Sequence, residues 1–169
     1  LIVNFAAESH VDKSIEDPYA FMNTNILGVM NLLNCSLKYF KEVKDFRFHH
    51  ISTDEVYGDI NEGLSAPSED SPFFTNSPYS ASKASSDLIV RAWNKTYGLP
   101  TLVTNCTNNY GPFQYPEKLI PLIILRALEK ESLPIYGDGL QERDWLFVDD
   151  HIDALAIFLE EEFNGDRYN

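Results

Sequence analysis

The apolar positions of this chain fall in short strand-like runs that end in polar residues, and these runs alternate with longer segments of helical spacing. Strands are predicted at residues 1–7, 47–53, 101–106, 133–136 and 145–148. Helices are predicted at residues 19–40, 78–97 and 118–130, and from a cap at Asp149-Asp150 to about residue 162. Strands that alternate with helices of this length imply right-handed crossovers. The pattern therefore predicts an α/β fold with a doubly wound parallel sheet.

The stretch at residues 47–58 changes abruptly from an apolar strand pattern to the polar run Ser52-Thr53-Asp54-Glu55. Ligands of parallel α/β sheets bind at the carboxyl ends of the strands, so polar side chains at this point indicate a binding or catalytic site. The alternative is a capped loop, because serine, threonine and aspartate also suit turns. The predicted strand at 101–106 repeats the pattern, since polar residues follow it at 107–110.

A tyrosine and a lysine, Tyr79 and Lys83, stand four residues apart in the predicted helix at 78–97. This spacing places both side chains on one face of a helix. A neighbouring ammonium group favours the tyrosinate and lowers the phenol pKa, which gives a base that acts near neutral pH. The alternative is an ordinary surface contact between a tyrosine and a lysine.

Composition and charge bound the class of protein. With 169 residues, 44% hydrophobic and 13% aromatic, the chain can bury the core of one domain or most of one. A net charge of −13 argues against a nucleic-acid surface, which needs clustered lysine and arginine. Two cysteines fit a reducing, cytoplasmic environment, and no membrane span is predicted. The apolar run at Leu1, with no methionine or leader before it, predicts a fragment of a longer chain.

The histidines do not suggest a metal site. His49 and His50 are neighbours on a predicted strand, so they point to opposite faces and cannot chelate one ion. His151, beside Asp149 and Asp150, is interpreted as part of a helix start. Packing roles are predicted for His49 and His50, and no metal site is proposed.

Six sequence runs together carry a resemblance to a known family. They are Asn4–Asp12, His50–Gly58, Tyr79–Lys83, Asn105–Pro112, Tyr115–Leu119 and Tyr136–Trp145. In content, order and spacing they resemble the extended short-chain dehydrogenase/reductase family, and within it the dTDP-glucose 4,6-dehydratases. The resemblance implies an incomplete Rossmann-like NAD-binding domain at 1–112, part of a substrate-binding domain at 113–142, and a return to the first domain at 143–169.

The resemblance also implies catalytic roles for five residues. Tyr79 would remove the proton of the sugar 4-hydroxyl as hydride leaves C4 for NAD, while Lys83 lowers the tyrosine pKa and holds the nicotinamide ribose. Thr53 would hydrogen-bond the same hydroxyl. Glu55 would take the proton from C5, Asp54 would protonate the departing 6-hydroxyl, and hydride would return to C6. Adjacent strand residues point to opposite faces, so Asp54 and Glu55 can share one sugar only if the strand stops at about Thr53.

Binding residues follow from the same resemblance. Those implied for NAD are Ala6, Ala7, Thr24, Tyr79, Lys83 and Asn109. Those implied for the nucleotide-diphosphate sugar are Ser9, Glu55, Asn108, Lys118, Leu119, Pro134, Ile135, Tyr136 and Arg143. Arg143 is the predicted diphosphate contact, because a planar guanidinium suits phosphate oxygens. Its alternative role is a salt bridge with Glu142 or Asp144.

Part of the family pattern is absent from this chain. The glycine-rich phosphate loop and the acidic residue for the adenosine ribose have no counterpart in it, so the chain as given is expected to bind NAD poorly and to be inactive alone. The resemblance further implies a homodimer through the helices at 19–40 and 78–97, with apolar residues of both exposed in a single chain.

Other functions of the same family stay open. A nucleotide-sugar 4-epimerase or a UDP-glucuronate decarboxylase would share Tyr79 and Lys83, but those families usually carry a small or hydroxyl residue where Asp54 stands. A catalytically silent binding or assembly module that kept the fold is the third alternative. Asp54 and Glu55 together favour the dehydratase.

Overall fold

The computed structural model describes residues 1–60, 65–135, 137–160 and 163–169. The chain divides into two compact units, of which the first contains Leu1–Cys106 and Glu161–Asn169 and the second contains Thr107–Glu160. The predicted domain boundaries at residues 112 and 142 stay predictions, and the two compact units of the structure meet along the chain at residues 106 and 160. Tyr136, one of the predicted sugar contacts, lies outside the described residues.

The first unit is built on a four-stranded sheet in the order β1-β2-β3-β6. Its strands are β1 (Ile2–Asn4), β2 (Phe48–Thr53), β3 (Thr101–Cys106) and β6 (Arg167–Tyr168). All three strand pairings are parallel, which confirms the predicted α/β fold with a parallel sheet. β1 is shorter than predicted, and the side chain that follows it, Phe5, is 56% exposed. β2 is buried along its whole length, as expected for a central strand.

Helices pack against this sheet through one hydrophobic core. The core joins α3 (Val29–Glu42) and α4 (Pro78–Tyr97) to β2 and β3. Its buried members are Val29, Leu33, Phe46, Phe48, Val90, Leu99 and Val103. Full burial of each large apolar side chain contributes about 1.5–3 kcal/mol relative to exposure, so this core holds α3 and α4 against the sheet.

Helix α4 has the bounds that its sequence predicts. Ser77 accepts a hydrogen bond from the amide of Ser80 at 3.0 Å, the Ser80 hydroxyl accepts from the amide of Ser77 at 3.1 Å, and proline occupies the first turn. Gly98 ends the helix in the left-handed conformation. These local signals place Tyr79 in the first turn of α4.

The predicted helix at 19–40 is interrupted by a wider turn. After α1 (Val11–Glu16) the chain forms α2 (Pro18–Phe21), a π-helical segment at Met22–Gly28, and then α3. The buried amide of Asn25, on the π-helical segment, accepts from the amide of Glu8 at 2.9 Å and donates to the Glu8 carbonyl at 3.0 Å. It also donates to the Ser82 hydroxyl at 2.8 Å. The segment thus ties the loop after β1 to α4, and π-helical turns are frequent at functional sites.

The second unit is smaller and has a two-stranded parallel sheet of β4 (Asn108–Tyr110) and β5 (Trp145–Phe147). Its helices are α5 (Leu119–Glu129) and α6 (Val148–Phe158). The predicted strand at 133–136 is wrong over residues 133–135, where Leu133 and Ile135 are exposed and no neighbouring strand pairs with them in the described chain. An apolar run becomes a strand only when a partner supplies its hydrogen bonds.

The predicted start and end of the last helix are also corrected. Phe147 is the capping residue of α6 and no side chain caps it, so Asp149 and Asp150 lie in the first turn instead. There they face the positive end of the helix dipole, which is favourable without a capping bond. The helix ends at Phe158, and residues 161–162 lie outside the described part. Over the described residues, no helix has the length and apolar character needed to cross a membrane.

Candidate active site

The polar residues after β2 form a short helical turn rather than an extension of the strand. β2 ends at Thr53, as predicted, and a 3-10 helix covers Asp54–Tyr57. The Thr53 hydroxyl accepts from the amide of Glu55 at 3.3 Å and donates to Asp54 Oδ1 at 3.2 Å. Because the chain has left strand geometry, the carboxyl groups of Asp54 and Glu55 are not forced to opposite faces of the sheet.

Tyr79 lies next to this turn. It is only 8% exposed, its amide donates to the Ser14 hydroxyl at 3.1 Å, and its ring meets Phe21 edge-on with centroids 6.3 Å apart. Its phenol shares a side-chain hydrogen bond with Thr53 and interacts electrostatically with Glu55. Residues more than 20 positions apart in the sequence are therefore brought together at the carboxyl end of β2, and their catalytic roles remain predictions.

The expected lowering of the tyrosine pKa by Lys83 is not found. Burial raises the pKa of the Tyr79 phenol, the charge of Glu55 raises it further, and the hydrogen bond with Thr53 only partly opposes them. Lys83 is 4% exposed and its ammonium donates to the carbonyl of Ile51 at 2.7 Å, so it is held against β2. A shared helix face brings two side chains near each other but does not decide which contact the longer one makes.

A buried polar cluster beneath the site was missed by sequence reasoning. It centres on Asp87, whose Oδ2 accepts from the Ser52 hydroxyl at 2.8 Å and from the Asn105 amide at 3.2 Å. Burial raises the pKa of Asp87 to about 6, against the effect of the nearby Lys83 ammonium. The spacing was a usable signal, because Asp87 follows Lys83 by four residues and so lies on the same face of α4.

The two adjacent histidines are both fully buried, on opposite sides of β2. His49 meets the Thr104 hydroxyl at 3.0 Å, and His50 meets the Ser86 hydroxyl at 3.1 Å and the Asn4 amide at 3.1 Å. Across residues 1–60, 65–135, 137–160 and 163–169, no group of histidine, cysteine, aspartate and glutamate side chains could hold a metal ion.

Four other predicted binding residues lie in the first unit, outside the regular strands. Ala6 and Ala7 follow β1, and the amide of Ala6 donates to Asn4 Oδ1 at 3.2 Å, which orders the chain at this strand end. Ser9 lies in the loop before α1, and Thr24 lies on the π-helical segment, both exposed. Their roles stay predictions.

The remaining predicted binding residues belong to the second unit. Asn108 and Asn109 lie on β4, Lys118 and Leu119 begin α5, and Pro134 and Ile135 are in irregular backbone. Arg143 is exposed and its guanidinium donates to the main-chain carbonyl of Glu142 at 2.7 Å. These residues also keep only their predicted roles.

Comparison with known proteins finds close similarity over nearly the whole chain. A protein-family model described as GDP-mannose 4,6 dehydratase matches residues 1–169. A dTDP-glucose 4,6-dehydratase of Neisseria meningitidis serogroup B is 56% identical over 173 residues, which cover 99% of this chain and 49% of that protein. The crystal structure of a dTDP-glucose 4,6-dehydratase from Streptomyces venezuelae with NAD bound has a TM-score of 0.91 and 48% identity, over 99% of this chain and 50% of that one.

A more distant similarity concerns another activity. The structure of a UDP-glucuronic acid 4-epimerase from Bacillus cereus in complex with UDP-glucuronic acid and NAD has a TM-score of 0.83 and 32% identity, over 96% of this chain and 50% of that one. The predicted resemblance to the dTDP-glucose 4,6-dehydratases is confirmed by the higher identities. The chain spans about half the length of the relatives that it matches.

Proposed function

This chain belongs to the GDP-mannose 4,6 dehydratase family, and from this premise we propose that the whole protein is an NAD-dependent dTDP-glucose 4,6-dehydratase. Its product would be the 4-keto-6-deoxy sugar. The observation that carries the proposal is the proximity of Tyr79 to Thr53 and Glu55, with Asp54 beside them. This arrangement joins a proton acceptor for an alcohol oxidation to two carboxyl groups for an elimination. The similarity to proteins named dTDP-glucose 4,6-dehydratases supports the choice of sugar nucleotide.

The oxidation at C4 would rely on Tyr79, Thr53 and Lys83. Tyr79 would accept the proton of the 4-hydroxyl, and the Thr53 hydroxyl would hold that oxygen in place. Lys83 would bind the nicotinamide ribose. When bound, NAD would accept hydride from C4 and return it to C6, and its positively charged nicotinamide would favour the ionised form of a neighbouring phenol. Such a cation would offset the burial and the Glu55 charge that raise the pKa of Tyr79.

The elimination would use the two carboxyl groups that follow β2. Glu55 would remove the C5 proton, which the 4-keto group acidifies, and Asp54 would give a proton to the departing 6-hydroxyl, so that water leaves. Glu55 would return its proton to C5 when hydride adds to C6. One carboxyl must then be ionised while the other is protonated, which requires different surroundings. Both carboxyl groups act on the Tyr79 phenol, Glu55 more strongly than Asp54, and Asp54 Oδ1 also accepts from the Thr53 hydroxyl.

The residues present fit the nicotinamide half of NAD better than its phosphates. Lys83 is buried against the carboxyl end of β2, and Ala6, two residues after β1, has a side chain short enough to let a ligand approach the backbone. The chain has no Gly-x-Gly-x-x-Gly run, so residues outside 1–169 would grip the phosphates. NAD binding is therefore proposed for the whole protein.

A product assay with the whole protein and dTDP-glucose tests the proposal. A 4-keto-6-deoxy product supports it, and a 4-epimer would point to an epimerase. The absence of turnover would favour the remaining alternative, a catalytically silent binding module. Tyr79→Phe should lower kcat by about 100-fold or more, in the range expected for loss of a general base. Tyr97→Phe, the same substitution at the exposed end of α4, should leave kcat unchanged.

A second variant separates dehydration from its family alternatives. Asp54→Asn keeps the size of the side chain but removes the acid for the 6-hydroxyl. The C4 oxidation should persist, so absorbance from NADH should build up, whereas release of the 4-keto-6-deoxy product should fall. If Asp54→Asn and wild type give the same product at the same rate, elimination through Asp54 is wrong. The epimerase alternative predicts this outcome, because epimerisation needs no acid at C6.

A homodimer is proposed through the helices at 19–40 and 78–97. A cytoplasmic location is proposed separately. Both helices carry large apolar side chains that face solvent in the single chain, between 37% and 58% exposed: Leu27, Leu32, Tyr39, Leu88 and Tyr97. An apolar face of this extent is typical of a protein–protein interface. Neither Cys35 nor Cys106 forms a disulfide bond.

A further inference from the structure

A buried carboxylate that the proposed mechanism does not use lies under the candidate site. Asp87 is 3% exposed, on the third turn of α4. Ser52 and Asn105 donate hydrogen bonds to its Oδ2, whereas its Oδ1 has no hydrogen-bond partner in the described structure. Taking a carboxylate out of water is costly, so a buried aspartate that is only half satisfied calls for a physical reason.

His50 does not neutralise this carboxylate. The Ser86 hydroxyl donates to the Lys83 carbonyl at 2.7 Å, so its oxygen is the acceptor for His50 Nε2–H. The Asn4 amide donates to Nδ1 of the same ring. Burial and the nearby Lys83 charge lower the pKa of His50, so the ring is neutral at pH 7 although Nε2 lies 3.6 Å from Asp87 Oδ1.

Lys83 is the cation that needs the carboxylate. It precedes Asp87 by four residues on the same face of α4, and its ammonium is buried with one N–H donated to the Ile51 carbonyl. Burial lowers the pKa of Lys83, and the charge of Asp87, followed by that of Cys106 on β3, raises it again. Arg167, on β6, also acts on Asp87, and Arg91 and Asp166 line the cavity beside it. Whether Lys83 stays charged therefore depends on whether the charge of Asp87, on the same helix, offsets the effect of burial.

We propose that Asp87 is a positioning residue, which keeps Lys83 protonated at the carboxyl end of β2 so that its ammonium can bind the nicotinamide ribose. The inference rests on the proposed function for its catalytic consequence. Its electrostatic part, the effect of the Asp87 charge on Lys83, does not depend on the proposed function. Ser52 and Asn105 complete the arrangement, because their hydrogen bonds fix the carboxylate and favour its ionised form.

The test uses the whole protein with Asp87→Asn, which keeps the shape of the side chain and removes its charge. Nuclear magnetic resonance of ¹³C-labelled lysine, assigned with a Lys83→Arg variant, reports the titration of Lys83. It should move about two pH units lower in Asp87→Asn, as expected for loss of one charge about 5–6 Å away, the usual spacing of side chains four residues apart on a helix, at an effective dielectric constant of about 20. The alkaline limb of the kcat/KM profile should move in the same direction, while Asp87→Glu should keep both near their wild-type positions.

A structural control separates charge from packing. Thr101→Val removes a buried hydroxyl that donates to the Val90 carbonyl and touches no charge, so it should leave the Lys83 titration and the alkaline limb in place. The inference fails if Lys83 titrates at the same pH in wild type and Asp87→Asn. A protein that does not turn over dTDP-glucose would overturn the proposed function, whereas the Lys83 titration would still decide the electrostatic part.

Discussion

The buried charge of Asp87 predicts a protein that becomes more stable when the charge is removed. In the folded state burial raises the pKa of Asp87 from 3.8 to about 6. The folded state thus binds the proton more tightly than the unfolded state, and ionisation costs stability as the pH rises through this interval. Asp87→Asn removes that cost and keeps an oxygen that can accept from Ser52 and Asn105.

The size of the effect follows from the same two pKa values. Linkage gives a cost of about 1.6 kcal/mol at pH 5 and about 3 kcal/mol at pH 8 for the wild-type carboxylate. The new amide nitrogen loses about 1 kcal/mol if it finds no acceptor, but this loss is the same at both pH values. The pH-dependent part of the stability difference is therefore about 1.4 kcal/mol, with Asp87→Asn gaining on wild type from pH 5 to pH 8.

Urea unfolding of the whole protein at these two pH values measures the difference. Tryptophan fluorescence is a suitable signal, because Trp93 lies on α4 with Asp87. Thr101→Val is the control and should show a difference from wild type that does not change with pH. A stability difference between Asp87→Asn and wild type that is equal at pH 5 and pH 8 would refute the reasoning.

Two further predictions concern backbone geometry and assembly. Gly58→Ala should lower the free energy of unfolding by about 2–4 kcal/mol in thermal or urea unfolding, because φ is +77° there and a Cβ would overlap the Phe74 carbonyl oxygen. Gly98→Ala, also at positive φ (+70°) but with open space around it, should cost only about 1 kcal/mol, and equal losses at the two sites would contradict the steric argument. Leu88→Glu should convert the whole protein from dimer to monomer in light scattering, since it places a charge on the exposed apolar face of α4. Ile152→Glu, at an exposed residue of α6, should leave the dimer intact, and a monomeric wild type would rule out the proposed interface.

The sequence alone determined the parts of this protein that depend on local patterns. The bounds of α4 follow from a serine cap, a proline in the first turn and a glycine stop. The strands β2 and β3 follow from short apolar runs, and the end of β2 follows from the change to polar residues at its carboxyl end. The six motif runs predicted the family, which the comparisons confirm.

Local patterns failed where a structure depends on a distant partner. The run at 133–135 has the composition of a strand, yet no neighbouring strand pairs with it in the described chain. The π-helical segment at Met22–Gly28 contains Asn25, which forms hydrogen bonds with the loop after β1 and with α4. The spacing of residues along one helix cannot reveal such contacts. Both outcomes depend on groups that the tertiary structure brings to the segment.

The electrostatics of the candidate site were decided only by the tertiary structure. The spacing of Tyr79 and Lys83 predicts a shared face, but burial and Glu55 raise the pKa of the phenol while Lys83 donates to β2. Asp87 looks like an ordinary polar helix residue until the sheet covers it and Ser52 donates to it. A pKa depends on the water removed and the charges approached, and both are set by residues far apart in the chain, so the sequence names the groups and the fold decides their protonation.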